Sequence, residues 1–192
     1  AHGVQVRFRE DVIEASANAV RTHAEHSFEA DQLILAPGVW ATDELMALAP
    51  ALKQVRPAKG CLAPVRFDRP IAPNIRAAGF YITRRYGDAV LGSTMEFDRT
   101  DRLVDPAQIE ALFAAAEAAL PGELRPAGKP WSGIRPMSPD GWPLIGPSGE
   151  VLIAAGHSRN GWLLAPITAE IITAYVMGAE IPPEWAALSP ER

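Results

Sequence analysis

A chain of 192 residues with 48% hydrophobic and 21% charged residues has the composition of a globular protein and lies outside the apolar-poor, highly charged range of disorder. Its net charge of −5 provides no basic field for nucleic acid or an anionic membrane surface, so a small molecule is the expected partner. The single cysteine, Cys61, excludes an internal disulfide and a thiolate metal cluster and favours a reducing compartment, hence a cytoplasmic location.

In chain order, Val4, Val6 and Phe8 alternate with polar residues, and Val12–Ile13, Val20–Thr22 and Phe28 follow at strand spacing, which predicts a small antiparallel meander. Within Asp31–Gly38 an apolar run stops at Pro37-Gly38, as a buried strand does on reaching a ligand or a tight turn. Gly38 there lets backbone approach a neighbour closely. A second region, roughly Val55 to Ser132, contains three predicted strands: Cys61–Phe67, Gly79–Thr83 and Ala89–Thr94. The last two are expected to form a hairpin across Arg84-Arg85-Tyr86-Gly87-Asp88. One helix interrupts them, with Asp105 as N-cap, Pro106 at the first position and Gln108 completing a variant capping box. Its apolar face is Ile109, Leu112, Phe113, Ala116 and Leu120, it ends at Pro121-Gly122, and it is expected to cover one face of the sheet. The last region returns to the texture of the first. Val151–Gly156 reads as a buried strand, followed by a polar loop and a helix that begins between Gly161 and Pro166 and ends near Met177-Gly178. Ile167, Ile171, Ala174 and Tyr175 mark the packed face of that helix. Strand, loop, helix is an arrangement that points backbone N–H groups and a positive dipole end at a bound anion or electron-rich ring. No run of eighteen apolar residues occurs, so no membrane-spanning helix is expected. Residues 1–12 read as neither a signal nor a transit peptide, and instead as a chain entered in mid-fold.

Three stretches carry a family resemblance: Ala30–Trp40, then Trp131–Gly146 with its Gly133-Ile134-Arg135-Pro136 and Asp140-Gly141-Trp142-Pro143, then Ala155–Pro166 with Gly156-His157-Ser158-Arg159-Asn160-Gly161. Together, and in this order, they resemble the D-amino-acid oxidase superfamily, above all its glycine oxidase branch, the deaminating oxidases of thiamine biosynthesis. The hairpin Tyr81–Arg84 through Gly92–Met95 extends the likeness to the family's substrate domain. The resemblance implies an α+β fold, an antiparallel or mixed substrate-domain sheet plus the carboxyl-terminal portion of an FAD-binding α/β domain. Residues 1–48 and 134–192 would belong to the FAD-binding domain and 49–133 to the substrate-binding domain. The family opens with a strand and a Gly-x-Gly-x-x-Gly turn for the FAD pyrophosphate, and no such motif occurs in these 192 residues. The chain is therefore expected to be the substrate-binding half of a flavoenzyme, incomplete and inactive alone, with tight FAD binding supplied by a complementary amino-terminal FAD-binding segment. Self-association, or docking of that segment, is the expected use of the apolar edges left over.

What the resemblance implies residue by residue is a substrate site and a cofactor site. Enzymes of this type move a hydride from the amine-bearing carbon to the flavin and leave an imine that hydrolyses to a keto acid. Arg135 matches the carboxylate-binding arginine, whose planar fork suits a bidentate hold. Tyr81 matches a tyrosine that supports the same carboxylate, Met95 a pocket-lining position, and Arg159 a position near both substrate and flavin. Gly156, His157, Arg159, Asn160, Gly161, Trp162 and Leu163 match the loop and helix start beside the isoalloxazine ring. Gly38 and Trp40 touch the cofactor from the first region, and Val12 matches a backbone contact on the adenine side. No catalytic side chain is assigned. Cys61 does not match the cysteine that anchors flavin in some sarcosine oxidases, so FAD is expected to be noncovalent. His23 and His26 form an H-x-x-H in a strand-like setting without a third ligand, and no metal is expected. The expected activity is oxidative deamination of a small amino acid or amine. A D-amino-acid dehydrogenase passing electrons to a quinone, and a noncatalytic subunit, are the alternative readings.

Overall fold

A computed structural model describes residues 3–67, 74–85 and 88–192, with strands and helices in an α+β arrangement. By backbone proximity the chain divides into two units, one of Ala1–Arg56 with Pro136–Arg192, the other of Pro57–Arg135.

In the first unit the expected meander forms from β1 (Val12–Ala15), β2 (Ala19–Thr22) and β3 (Ser27–Glu29), antiparallel in that order. The stretch Val4–Phe8 does not join it. Those residues are irregular and exposed, because their alternation meets no partner strand among the described residues. The setting of His23 and His26 also differs from expectation, since both lie between strands and His26 Nδ1 pairs with Glu10 at 2.9 Å. Of Asp31–Gly38 only β4 (Ile34–Leu35) is strand. It runs parallel to β13 (Val151–Ala155), which pairs antiparallel with β12 (Leu144–Ser148).

Period-two alternation explains how this small sheet is covered on both faces. Leu144, Val151 and Ile153 pack with Leu35 and Leu52 beneath α1 (Asp43–Leu48) and the 3-10 turn Pro50–Gln54. Ile145, the neighbour of Leu144, packs instead with Ile171 of α3 (Gly161–Val176) and Leu188 of the turn Pro183–Leu188. The expected face residues Ile167 and Tyr175 of α3 pack there too. Pro166 is the sixth residue of α3 rather than within its first turn. It withholds only the donor that would meet the carbonyl of Trp162, and Trp162 is 97% exposed, so water can take that acceptor.

Among the described residues the second unit is a seven-stranded sheet. Its strands are β5 (Arg56–Phe67), β6 (Ile75–Ala77), β7 (Phe80–Arg85), β8 (Asp88–Gly92), β9 (Glu96–Phe97), β10 (Leu124–Pro126) and β11 (Trp131–Met137). The order is β10-β5-β8-β7-β6, with β9 and β11 also pairing with β5. The expected hairpin is present as β7 and β8, although Tyr86 and Gly87 of its turn lie outside the described residues. β8 stops at Gly92, short of the expected Thr94. The predicted helix is α2 (Pro106–Ala119), capped by Asp105, whose carboxylate accepts from the Ala107 N–H at 2.9 Å. The capping box is not completed: Gln108 Oε1 is buried without a partner among the described residues. Ile109, Leu112 and Ala116 of α2 bury Cys61, Ala63, Val65, Phe80, Ile82, Ala89 and Leu91. A buried lysine on β5 pairs with a partly exposed acid, Lys59 Nζ lying 2.8 Å from Asp101 Oδ1 with 1% of the lysine side chain exposed against 32% of the aspartate's.

Candidate functional site

Strand register decides which side chains of the second unit are free for function. Leu91 is the cross-strand partner of Ala63 on one side and Ile82 on the other, and all three lie in the α2 core. The next set, Leu62, Gly92 and Tyr81, therefore lies on the opposite face of the sheet. Gly92 keeps that face low. A Cβ there would lie 3.0 Å from the Tyr81 hydroxyl, so the phenol rests over the glycine.

Arg135, on β11, reaches the same face at Gly60, where a Cβ would lie 2.8 Å from its Cζ. Its Nη2 donates to Ser93 Oγ at 2.6 Å and its Nη1 to the Thr94 carbonyl at 3.5 Å. Both acceptors are neutral, and among the described residues no carboxylate stands within ion-pair distance of Arg135. A guanidinium has five donors. With one used by each acceptor, three remain for a ligand. Half-buried Met95 follows the Ser93-Thr94 segment directly.

The first unit holds a cleft of about 460 Å³ at the amino end of α3, lined by Gly38, Gly156, His157, Gly161 and Thr168 among others. Gly156 is needed for two reasons: its φ is +68°, and a Cβ would press to 3.1 Å from Ser138 Cβ. Asn160 is the N-cap of α3 without a side-chain cap bond. The N–H groups of Gly161, Trp162 and Leu163 thus have no intrahelical acceptor and concentrate positive potential there. Thr168 gives its one hydroxyl proton to the Leu164 carbonyl at 2.8 Å. At 2.9 Å from the same oxygen, His157 Nε2 must then be the donor. That assigns the Nε2–H tautomer and leaves Nδ1 as an acceptor. Burial pushes the His157 pKa below the ordinary imidazole value, which keeps the ring neutral.

Val12 and Trp40 line a second, largely apolar cleft of about 570 Å³ with Leu33, Leu35 and Leu45. The chain leaves β4 through a turn in which the Trp40 N–H donates to the Pro37 carbonyl across Gly38 at φ +64°. Ala36 lines both clefts. Arg159, Asn160, Trp162 and Leu163 are exposed at the start of α3 and outside either lining, Leu163 by 77%.

The structure thus gathers Tyr81 and Arg135 on one sheet face, Gly38, Gly156, His157 and Gly161 in one cleft, and Val12 and Trp40 in another. Sequence reasoning does not single out Gly60, Ser93, Thr94 or Thr168 as site residues. Gly60 interrupts an apolar strand, which is a signal of close approach, but no local feature announces that Arg135 is what approaches.

Three comparisons place this geometry among known proteins. The profile of the FAD dependent oxidoreductase family, DAO, matches residues 1–175. The glycine oxidase of Bacillus licheniformis is 36% identical over 180 residues, covering 90% of this chain and 48% of the relative. That of Pseudomonas putida is 35% identical over 175 residues, covering 88% and 47%. The crystal structure of glycine oxidase from Geobacillus kaustophilus superposes with a TM-score of 0.78 at 28% identity, covering 95% of this chain and 51% of that one. The chain spans about half the length of the curated relatives it matches.

Proposed function

The chain belongs to the DAO family of FAD-dependent oxidoreductases, and on that premise we propose that it carries the substrate-binding part of an enzyme oxidising a small amino acid or amine, as its glycine oxidase relatives are named for doing. The observation that carries this reading is Arg135, a half-buried guanidinium held by a hydroxyl and a carbonyl, with no acid beside it among the described residues. A buried cation without a counter-ion is costly unless an anionic ligand completes it. The carboxylate of an amino acid does so, through two parallel charge-assisted hydrogen bonds. Tyr81, on the same sheet face, is assigned a further hydrogen bond to that carboxylate, and Met95 and Arg159 are assigned to the rest of the substrate.

The residues of the first unit fit the ring end of FAD. An uncapped helix start, a positive-φ glycine and a neutral histidine line one cleft, which suits the electron-rich edge of an isoalloxazine. Gly38, Gly156, His157, Arg159, Asn160, Gly161, Trp162 and Leu163 are assigned to hold that end, and Val12 and Trp40 the adenine side, noncovalently. FAD bound there supplies the two-electron acceptor. The chain's own part is to fix the substrate carboxylate, orient the amine-bearing carbon and exclude water. With no Gly-x-Gly-x-x-Gly turn in the sequence, the pyrophosphate is assigned to a complementary amino-terminal FAD-binding segment. The test is anaerobic mixing of the full-length flavoenzyme with a panel of small amino acids and amines. Substrate-dependent bleaching of the flavin is expected, and an unchanged spectrum across the panel would end the proposal.

A further inference from the structure

Arg135 is the end of a side chain with many rotamers, and a ligand that had to order it on arrival would bind less tightly. Three features around it act against that cost. Its guanidinium lies against the β5 backbone at Gly60, where a Cβ would stand 2.7 Å from Nη2, 2.8 Å from Cζ and closer still to Nη1. Ser93 Oγ takes a short hydrogen bond from Nη2, 2.6 Å. The segment bearing Ser93 is itself tied to β5, because the N–H of Cys61, next to Gly60, donates to Thr94 Oγ1 at 2.8 Å. Floor, acceptor and anchor therefore all refer to one strand.

We propose that Gly60 and Ser93 are positioning residues for Arg135, Gly60 by leaving the backbone open beneath the guanidinium and Ser93 by fixing its rotation, so that its remaining donors face a ligand carboxylate. The purpose rests on the carboxylate-binding reading above, whereas the positioning is a separate claim. Gly60→Ala is an informative change because the obstructing atoms are the far end of a flexible side chain. The arginine can yield without disturbing β5. Ser93→Ala removes a half-buried hydroxyl outside the α2 core.

The experiment uses the full-length enzyme labelled with 15N-arginine, with Arg135 identified by the signal lost in Arg135→Lys. In the native chain the Arg135 Nη protons should be resolved by hindered rotation. Gly60→Ala and Ser93→Ala should each collapse them to an averaged line while backbone amides of β7, β8 and α2 stay in place, and Ser93→Thr, which keeps the hydroxyl, should retain them. Sodium acetate should shift the native Arg135 signals at concentrations about tenfold lower than in either collapsed variant, the weight of one hydrogen bond to a charged group. In the full-length enzyme Ser93→Ala should raise KM for the amino acid about tenfold with little change in kcat. Arg135 signals unaltered by both substitutions would overturn the proposal, as would their equal loss in Ser93→Thr. Should Gly60→Ala unfold the sheet, the Ser93 pair decides. Signals that respond to the substitutions yet ignore acetate would keep the positioning and remove the carboxylate reading.

Discussion

At the scale of single residues, the distinction that matters is between charges that have protein partners and charges that do not. Arg135 has only neutral ones among the described residues, which makes its geometry, not its charge alone, the quantity to test. In the full-length enzyme Arg135→Lys should lower kcat/KM about ten- to hundredfold, because a lysine cannot reproduce the fork and loses a charged hydrogen bond worth roughly 1.5–3 kcal/mol. Near-normal kinetics would remove Arg135 from the site. Tyr81→Phe should cost less, on the order of 1 kcal/mol, since a neutral hydroxyl leaves while the ring keeps its seat over Gly92. If that substitution unfolds the protein, the hydroxyl is structural. Asp140 is the opposite case. Arg192 donates to both of its carboxylate oxygens at 2.8 Å and holds its pKa at about 2. A depressed carboxylate favours the fold above its unfolded pKa of about 4, and that contribution is lost as pH falls from about 4 to about 2. With 47% of the side chain exposed the gain is screened to under about 1 kcal/mol. Urea midpoints measured across that window should fall less in Asp140→Asn than in the native chain, and parallel curves would remove the pair from acid stability.

At the scale of elements, β5 does two jobs through the two directions of its side chains. Cys61, Ala63 and Val65 build the α2 core, while Gly60 and Leu62 lie on the face that carries Tyr81 and Arg135. Lys59, on the same strand, pairs with Asp101, whose carboxyl is held well below the usual range by Arg99 first and Lys59 second. Lys59 Nζ also lies 4.0 Å from Glu96 Oε1, so replacing Asp101 removes the shorter of its two ion pairs and leaves the longer. Asp101→Asn should therefore lower the urea midpoint more than Lys59→Met, which fills the space without a charge. Equal losses would show that the lysine is held by packing alone. The α2 helix and the β7–β8 hairpin are legible from sequence because their signals are local: a cap and proline at Asp105-Pro106, apolar spacing, and two strands close in sequence. Local signals also mislead, since Val4–Phe8 alternates like a strand and Gln108 completes a box on paper, yet neither finds its partner.

For the whole molecule, the cofactor supplies the sharpest expectation. The chain offers one uncapped helix start and a cleft for a ring, but no glycine turn for a pyrophosphate. Titration of these 192 residues with FAD should show weak or no binding. Adding a polypeptide that bears the dinucleotide-binding strand and turn should bring yellow colour and a higher Tm, since FAD at about a hundred times its Kd stabilises by about 2.7 kcal/mol. Tight, stoichiometric binding by the chain alone would overturn the division of labour.

The sequence by itself determined the family, through three ordered motifs, and with it the α+β class and the marking of Arg135, Tyr81 and the 156–163 loop as places to look. It could do so because motifs and helix caps are written in neighbouring residues. What the tertiary structure alone decided is which of those residues share a surface. Tyr81 faces away from the α2 core because β7 and β8 pair Tyr81 with Gly92 and not with Leu91. Arg135 rests on Gly60 although 75 positions separate them in the sequence, the difference between 135 and 60. Register between distant strands depends on the burial of both faces at once, a sum over the whole sheet that no short stretch of sequence contains.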